Sequence, residues 1–217
     1  MIQKKLTRNN IILLICLLII FLFIPVLSEK VIKPLIFTAI IVFGSYSLDF
    51  RPRARIILNA SGAITILLTW LFYFFNLFGL VASLSIFCFN VFITVFMIRH
   101  IFLSKQVTGT IIINSINCYL LIGLLGAVLL SIVEKIQKLV FQSDVAAINF
   151  IGSTAEGFHE YLYFSFVTLS TLGYGDITPI SFIAKSITLI IAVTGQFYMT
   201  ILVAVLVGKF LRRDEKE

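Results

Sequence analysis

Long apolar runs separated by short polar stretches form the dominant pattern along the chain. Six of these runs are long enough to cross a bilayer, which takes about 20 residues in a helix. They lie at roughly 11–27, 31–48, 56–76, 77–98, 110–133 and 182–208. The pattern predicts an all-α membrane protein with six transmembrane helices, because helices satisfy their own backbone polar groups in lipid.

The first run has an alternative interpretation as a secretory signal peptide. Lys4, Lys5 and Arg8 precede it, and Val26-Leu27-Ser28 at its end resembles a cleavage site. Cleavage would remove the first helix without reversing the orientation of the later spans. We take the run as a transmembrane helix and keep cleavage as the alternative.

Composition agrees with a membrane protein and excludes a soluble domain. Of the 217 residues, 60% are apolar and 12% are charged, whereas soluble domains carry about 25% charged residues. The three cysteines all lie within apolar runs, where they act as small hydrophobic residues. The two histidines lie 59 positions apart, at 100 and 159. We therefore expect neither a disulfide framework nor a metal site built from these residues.

The distribution of Lys and Arg gives the orientation. Five of the 17 basic residues fall on one side of the predicted spans, and the other twelve fall on the side that holds both termini. The five are Lys30, Lys33, Lys135, Lys138 and Lys185. Both termini are predicted to be cytoplasmic. This bias also explains the net charge of +7, so we expect membrane lipid and no nucleic acid among the partners.

A short half-apolar segment lies between the fifth and sixth runs. The preceding residues, 134–158, read as an extracellular connection, and the segment "HEYLYFSFVTLS" at 159–170 follows them. A helix of 12 residues is about 18 Å long and reaches only halfway across a bilayer. The pattern predicts a re-entrant pore helix, followed by backbone that must line an aqueous path.

The stretch "TLGYGD" at 171–176 supplies backbone oxygens for that path. A dehydrated cation needs oxygens in place of water, and successive carbonyls can face one side if neighbouring residues alternate in handedness. Left-handed positions are cheapest as glycine, which explains Gly173 and Gly175. Leu172 and Tyr174 are then expected to face away from the ion and pack on the pore helix. One such strand cannot surround an ion, so several chains must meet around an axis.

The run "TLSTLGYGD", with "YFSFVTLSTLGYGDITP" and "VTGQFYMTILVAVLVG" around it, resembles the tetrameric potassium channel family over roughly 110–211. The resemblance implies a selectivity-filter loop between the fifth and sixth helices and a homotetramer. It implies potassium sites at the carbonyls of Thr171, Leu172, Gly173 and Tyr174 and at the Thr171 hydroxyl, with Gly175 completing the filter and Asp176 at the outer mouth. Potassium is then the permeant ion, and no organic cofactor is expected.

The pore helix departs from the commoner family pattern. Its expected supporting residues are Tyr163, Phe164, Val167 and Thr168. Val167 stands where some bacterial members have a glutamate that partners the filter aspartate, so Asp176 is expected to lack that carboxylate neighbour. Leu172 stands where valine is usual, and its extra methylene must fit behind the filter.

Gly195 lies 19 residues after Asp176, where the resemblance places a hinge in the inner helix. Glycine weakens a helix by about 1 kcal/mol but equally permits close helix contact, so hinge and packing are both open. One helical face after it is expected to line the cavity. That face carries Gln196, Met199, Val203 and Val207.

The first four spans match a voltage sensor in number but not in charge. A sensor needs arginines at about every third residue, and the fourth run contains none, with Arg99 and Lys105 past its end. We divide the chain into a four-helix domain without sensor charges at 1–105, a pore domain at 106–211 and a short cytoplasmic tail at 212–217. Regulation is then expected through the membrane, ions, pH or a separate partner.

These features favour a potassium-selective channel subunit, passive and not voltage-gated, in a plasma membrane that we expect to be bacterial. A potassium uptake transporter would carry four degenerate pore loops, and this chain has one. An intramembrane enzyme would need a motif such as GxSxG or HExxH, and the sequence contains neither. A non-conducting or regulatory subunit of a potassium channel assembly remains the alternative.

Overall fold

The computed structural model describes residues 2–23, 32–48, 52–75, 79–104, 106–140, 146–150 and 157–214. Within these ranges the chain forms seven helices and two short strands. In chain order they are α1 (Ile2–Phe23), α2 (Ile32–Ser45), α3 (Pro52–Phe75), α4 (Gly79–Leu103), α5 (Gly109–Val140), β1 (Ile148–Phe150), α6 (Phe158–Leu169), β2 (Ile177–Pro179) and α7 (Phe182–Asp214).

The helices confirm the prediction of an all-α membrane protein. In the described ranges, five helices are long and apolar enough to cross a bilayer, namely α1, α3, α4, α5 and α7. The second predicted span contains α2, whose 14 residues fall short of the roughly 20 that a span requires. The count of six spans stays a prediction. The alternative cleavage site at 26–28 lies outside the described residues.

Several helices continue beyond the apolar runs that predicted them, among them α4 and α5. α4 ends at Leu103 rather than near residue 98, so Arg99 lies within the helix and not past its end. α5 continues from the predicted end near residue 133 to Val140. Polar residues such as Glu134 extend a helix without breaking its backbone hydrogen bonds, so hydropathy alone underestimates its length.

One compact unit contains residues 1–121 and 200–217. Its core includes Leu13 and Leu17 from α1 and Ile93 and Met97 from α4, all fully or almost fully buried. α2 packs on α1 and α3, and α3 packs on α4. Polar contacts at these interfaces are few among the described residues. One is the 3.0 Å hydrogen bond from Trp70 Nε1 to Thr38 Oγ1.

The end of α7 contacts the end of α4 within this unit. Lys209 Nζ donates to the carbonyls of Ile101 (2.7 Å) and Phe102 (3.0 Å) and to Ser104 Oγ (3.2 Å). A lysine there satisfies carbonyls that lack partners at a helix C-terminus and complements its negative dipole. The contact fixes the last turn of α4.

The second compact unit contains residues 122–199. It holds most of α5, the strand pair, α6, the stretch from 171 to 176 and the first half of α7. The strands pair antiparallel, with Asn149 opposite Thr178. The two units divide within α5 and α7, whereas the predicted boundary at 105/106 separates segments by expected role. That division by role stays a prediction.

Candidate functional site

The short helix α6 packs closely on α5 because two glycines leave room for it. A Cβ at Gly123 would overlap the Phe166 ring, and a Cβ at Gly126 would overlap the Ser165 hydroxyl. Ser165 is fully buried, and its hydroxyl donates a 2.7 Å hydrogen bond to the Gly123 carbonyl. Small residues that let helices approach are a general device of membrane interiors. This contact fixes the position of α6 against α5.

α6 begins and ends within one residue of the predicted pore helix. After Leu169 the chain turns. Backbone carbonyls in the last turn of α6 accept hydrogen bonds from the segment that follows, residues 171–176. Leu172 N donates to the Val167 carbonyl at 2.9 Å, and Thr171 N donates to the Thr168 carbonyl at 3.0 Å. Val167 therefore supports the segment through its backbone oxygen, while its side chain is buried.

Alternate residues of the segment adopt left-handed backbone conformations. The φ angles are +60° at Thr171, +57° at Gly173 and +81° at Gly175. Such alternation is the geometry expected from the glycine spacing. Thr171 is a third left-handed position that the sequence did not predict, and a residue with a Cβ carries a cost of about 1–2 kcal/mol there.

The side chains between these positions do not pack as expected. Leu172 is 60% exposed and Tyr174 is 67% exposed, although both were expected to pack on α6. The expectation is wrong for a single chain. Two large side chains flanking Gly173 are left uncovered, and an apolar surface of this kind usually marks an interface.

The end of the segment at Asp176 is fixed by a contact between Tyr163 and Asp176. Tyr163 Oη donates to Asp176 Oδ2 at 2.6 Å, and the other carboxylate oxygen accepts from Ile177 N at 3.0 Å. The sequence predicted that Asp176 lacks a carboxylate neighbour at 167, and a valine does stand there. A phenol one turn earlier in α6 supplies the contact instead.

The hydrogen bond shifts the pKa of both partners. Donation from Tyr163 holds the pKa of the Asp176 carboxyl below its ordinary value. The same hydrogen bond, with smaller contributions from desolvation and nearby negative charge, raises the pKa of the Tyr163 hydroxyl to about 12. Both shifts favour the pair in which the tyrosine is neutral and the aspartate is charged.

A buried carboxylate on α5 holds the segment before β1. Glu134 is 4% exposed, and its Oε2 accepts a 2.9 Å hydrogen bond from Ala147 N. The Ala147 carbonyl in turn accepts from Ile180 N at 2.9 Å and Ser181 N at 3.1 Å. Lys138 Nζ lies 3.4 Å from Glu134 Oε1. Sequence reasoning missed Glu134, and its only signal was a carboxylate at the end of an apolar run.

The inner end of the segment contacts α7. A Cβ at Gly195 would overlap the carbonyl oxygen of Leu169, so the packing interpretation of this glycine has direct support. The hinge stays a prediction. Next to it, Gln196 Nε2 donates to Thr171 Oγ1 at 3.1 Å.

The remaining predicted residues are distributed between exposed and buried positions. The four residues of α7 that are expected to line a cavity are all exposed in this chain. They are Gln196, Met199, Val203 and Val207. Phe164 and Thr168 of α6 are buried, and Tyr163 is exposed. No group of three or more His, Cys, Asp or Glu residues that could hold a metal ion occurs in the described ranges.

Known proteins resemble part of the chain. Residues 127–212 match the family described as "Ion channel". A stretch of 67 residues is 36% identical to "Two-pore potassium channel 4" of Arabidopsis thaliana, covering 31% of this chain and 24% of that relative. The match thus spans about a quarter of the relative's length. No solved structure matches the chain. Both matches support the resemblance to potassium channels.

Tyr163→Phe tests the outer contact through its pH dependence. The contact contributes fully between the ordinary pKa values of aspartate and tyrosine, near 4 and 10. Its contribution is lost as pH falls through the lowered pKa of Asp176, or rises through about 12, where Tyr163 ionises. Tyrosinate absorbance is measured against pH for both proteins. The curve of the unmodified protein minus the curve of the variant should show one tyrosine that ionises near pH 12. A difference that titrates near pH 10 would contradict the contact.

Gly195→Ala tests the packing of α7 against Leu169. The added methyl forces α7 away from the end of α6, and we expect the free energy of unfolding to fall by about 1–3 kcal/mol. Gly208→Ala is the matched control. Gly208 lies in the same helix as Gly195, and a Cβ there meets nothing within 4 Å. Thermal unfolding of the purified proteins measures both. Equal unfolding temperatures for the two variants would contradict the close packing of α7 at Gly195 against Leu169.

Proposed function

We propose that this chain, whose residues 127–212 belong to the ion channel family, is one subunit of a homotetrameric, potassium-selective channel. The observation that carries the proposal is the alternation of left-handed residues at 171, 173 and 175. It occurs immediately after a 12-residue helix, between two helices long enough to span a bilayer. Non-helical backbone at membrane depth is tolerated where it lines a cavity or is buried in protein.

The proposed ion ligands are oxygens of the filter backbone. The carbonyls of Thr171, Leu172, Gly173 and Tyr174, with the Thr171 hydroxyl, replace the water around a potassium ion, and Gly175 completes the turn. Rings of carbonyls from several chains act this way in ion-selective filters. The name of the plant relative specifies potassium, which supports this choice of ion. The proposal gives the chain no catalytic residue and no organic cofactor.

What one chain leaves uncovered supports an assembly of several copies, and the number four comes from the resemblance to potassium channels. A single strand of carbonyls encloses no ion, so the ion path requires other copies around an axis. Exposed apolar side chains of the filter segment and of α7 offer the contact surface. They include Leu172, Tyr174, Phe182, Leu189 and Phe197. The remaining exposed apolar surface of the long helices is assigned to membrane lipid.

The proposed setting is a plasma membrane with both termini in the cytoplasm, following the distribution of Lys and Arg. Under this orientation Asp176 and the Tyr163 contact lie at the outer mouth. Gly195 and the face after it lie on the path to the cytoplasm. The gate and its stimulus then belong to α7, to residues 1–105 or to a separate partner.

Potassium flux from liposomes that contain the purified protein tests conduction. The unmodified protein should release potassium along its gradient, and Gly173→Ala should abolish this release. A methyl at φ +57° is strained by about 1–2 kcal/mol, and relief of that strain turns a carbonyl away from the path. Gly109→Ala is the control, because a Cβ there meets nothing within 4 Å and φ is not positive. Absence of flux from a folded, unmodified protein would favour the non-conducting subunit.

The number of chains is tested by mass. Light scattering of the detergent-solubilised protein, with the detergent contribution subtracted, should give four times the chain mass of 24.4 kDa. The reason is that each chain has one filter segment, and the filters of potassium channels are built from four such loops. A stable monomer or dimer that still conducts potassium would remove the fourfold arrangement.

Opening should depend only weakly on voltage. α4 contains one formal charge, Arg99, whereas three or four arginines per subunit crossing the field give steep opening at about 2.3 kcal/mol per charge per 100 mV. A current–voltage series in symmetrical potassium gives the gating charge. A fitted value near a dozen elementary charges, typical of four full sensors, would mean that residues 1–105 carry a sensor after all.

A further inference from the structure

The inner end of the filter segment carries a hydrogen bond that the proposed ion path does not require. Gln196 Nε2 donates to Thr171 Oγ1 at 3.1 Å. Thr171 Oγ1 in turn donates to the Ser170 carbonyl at 2.7 Å. Thr171 is therefore hydrogen-bonded to the polypeptide on two sides, at the oxygen proposed as the innermost ion ligand.

The fold brings Gln196 to this position through its neighbour. Gly195 is buried. Its close approach to the carbonyl of Leu169, the last residue of α6, brings α7 into contact with the end of that helix. The next residue along α7 then reaches the first residue of the filter. Gln196 is the one polar member of the exposed face that also holds Met199, Val203 and Val207.

The hydroxyl of Thr171 has one proton and two lone pairs. Its proton goes to the Ser170 carbonyl, so the Gln196 atom in contact with the oxygen must be the amide nitrogen, which donates. This donation uses one lone pair and leaves one for an ion. It also places the positive end of an N–H dipole beside the oxygen that an ion must approach.

We propose that Gln196 is a specificity-determining and positioning residue that weakens cation binding at the Thr171 hydroxyl. The inference rests on the proposed function, since it assumes that Thr171 faces the ion path. Weak binding there favours passage, because an ion must be able to leave each site as well as enter it. An apolar side chain at 196 removes the competing donor and makes the innermost site tighter.

Barium is the probe, because it is close to potassium in size and its double charge doubles its response to a nearby dipole. Titration calorimetry of the purified protein in potassium-free buffer gives the barium affinity without requiring conduction. Gln196→Leu should bind barium about tenfold more tightly, the effect expected from removing one hydrogen bond. Gln196→Asn should behave like Gln196→Leu, because its shorter side chain keeps the amide but does not reach Thr171.

Two further variants locate the effect. Phe210→Leu changes an exposed residue farther along α7 and should leave barium affinity unchanged. In a Thr171→Ala background, Gln196→Leu should have no effect, because the oxygen that Gln196 contacts is gone. An affinity change that persists in this background would place the action of Gln196 at another site and overturn the proposal.

The outcomes separate this inference from conduction. Unchanged or weaker barium binding by Gln196→Leu overturns the inference even if the protein conducts potassium. Barium affinity that depends on Gln196 in a protein without potassium flux supports the inference and overturns conduction. Binding by Gln196→Asn equal to that of the unmodified protein assigns the effect to general polarity and overturns the hydrogen bond. Absence of barium binding in the unmodified protein overturns the inference, whereas potassium flux alone decides conduction.

Discussion

Carbonyl groups in non-helical backbone need partners, and this requirement governs residues 171–176, which form neither helix nor strand. In helices the partners are amides of the same helix, but a chain with left-handed residues at every second position cannot form those bonds. Its oxygens must be met by another chain, by water or by an ion. Gly173 and Gly175 adopt the left-handed conformation without a steric penalty, and Thr171 adopts it despite its Cβ.

A strained segment of six residues needs support from its surroundings. Its inner end is held by the Val167 and Thr168 carbonyls, and its outer end by the hydrogen bond from Tyr163 to Asp176. After β2, the amides of Ile180 and Ser181 donate to the Ala147 carbonyl, and Ala147 N donates to the buried Glu134. These contacts come from α6, from the segment before β1 and from α5.

The local features of this region could be predicted from the sequence. The bounds of α6 follow from a half-length aromatic run, and the left-handed positions at 173 and 175 follow from the glycines. Contacts between distant positions could not be predicted, because periodicity describes one element at a time. Glu134 fell within the stretch interpreted as an extracellular connection, and its hydrogen bond to Ala147 depends on where the strand pair folds. The search for a partner of Asp176 considered position 167, while the partner is the phenol of Tyr163, one turn earlier. The exposure of Leu172 and Tyr174 was missed because the pattern shows that a side chain is apolar, not which chain covers it.

The central claim is that backbone oxygens at 171–174 select potassium by replacing its water. The most direct measurement is the reversal potential of currents through the reconstituted protein, with potassium on one side of the membrane and sodium on the other. Selection by these oxygens predicts a reversal potential displaced strongly toward the potassium equilibrium value, because sodium fits the same oxygens less well. A reversal potential near zero would mean equal permeability to the two ions and would contradict the account.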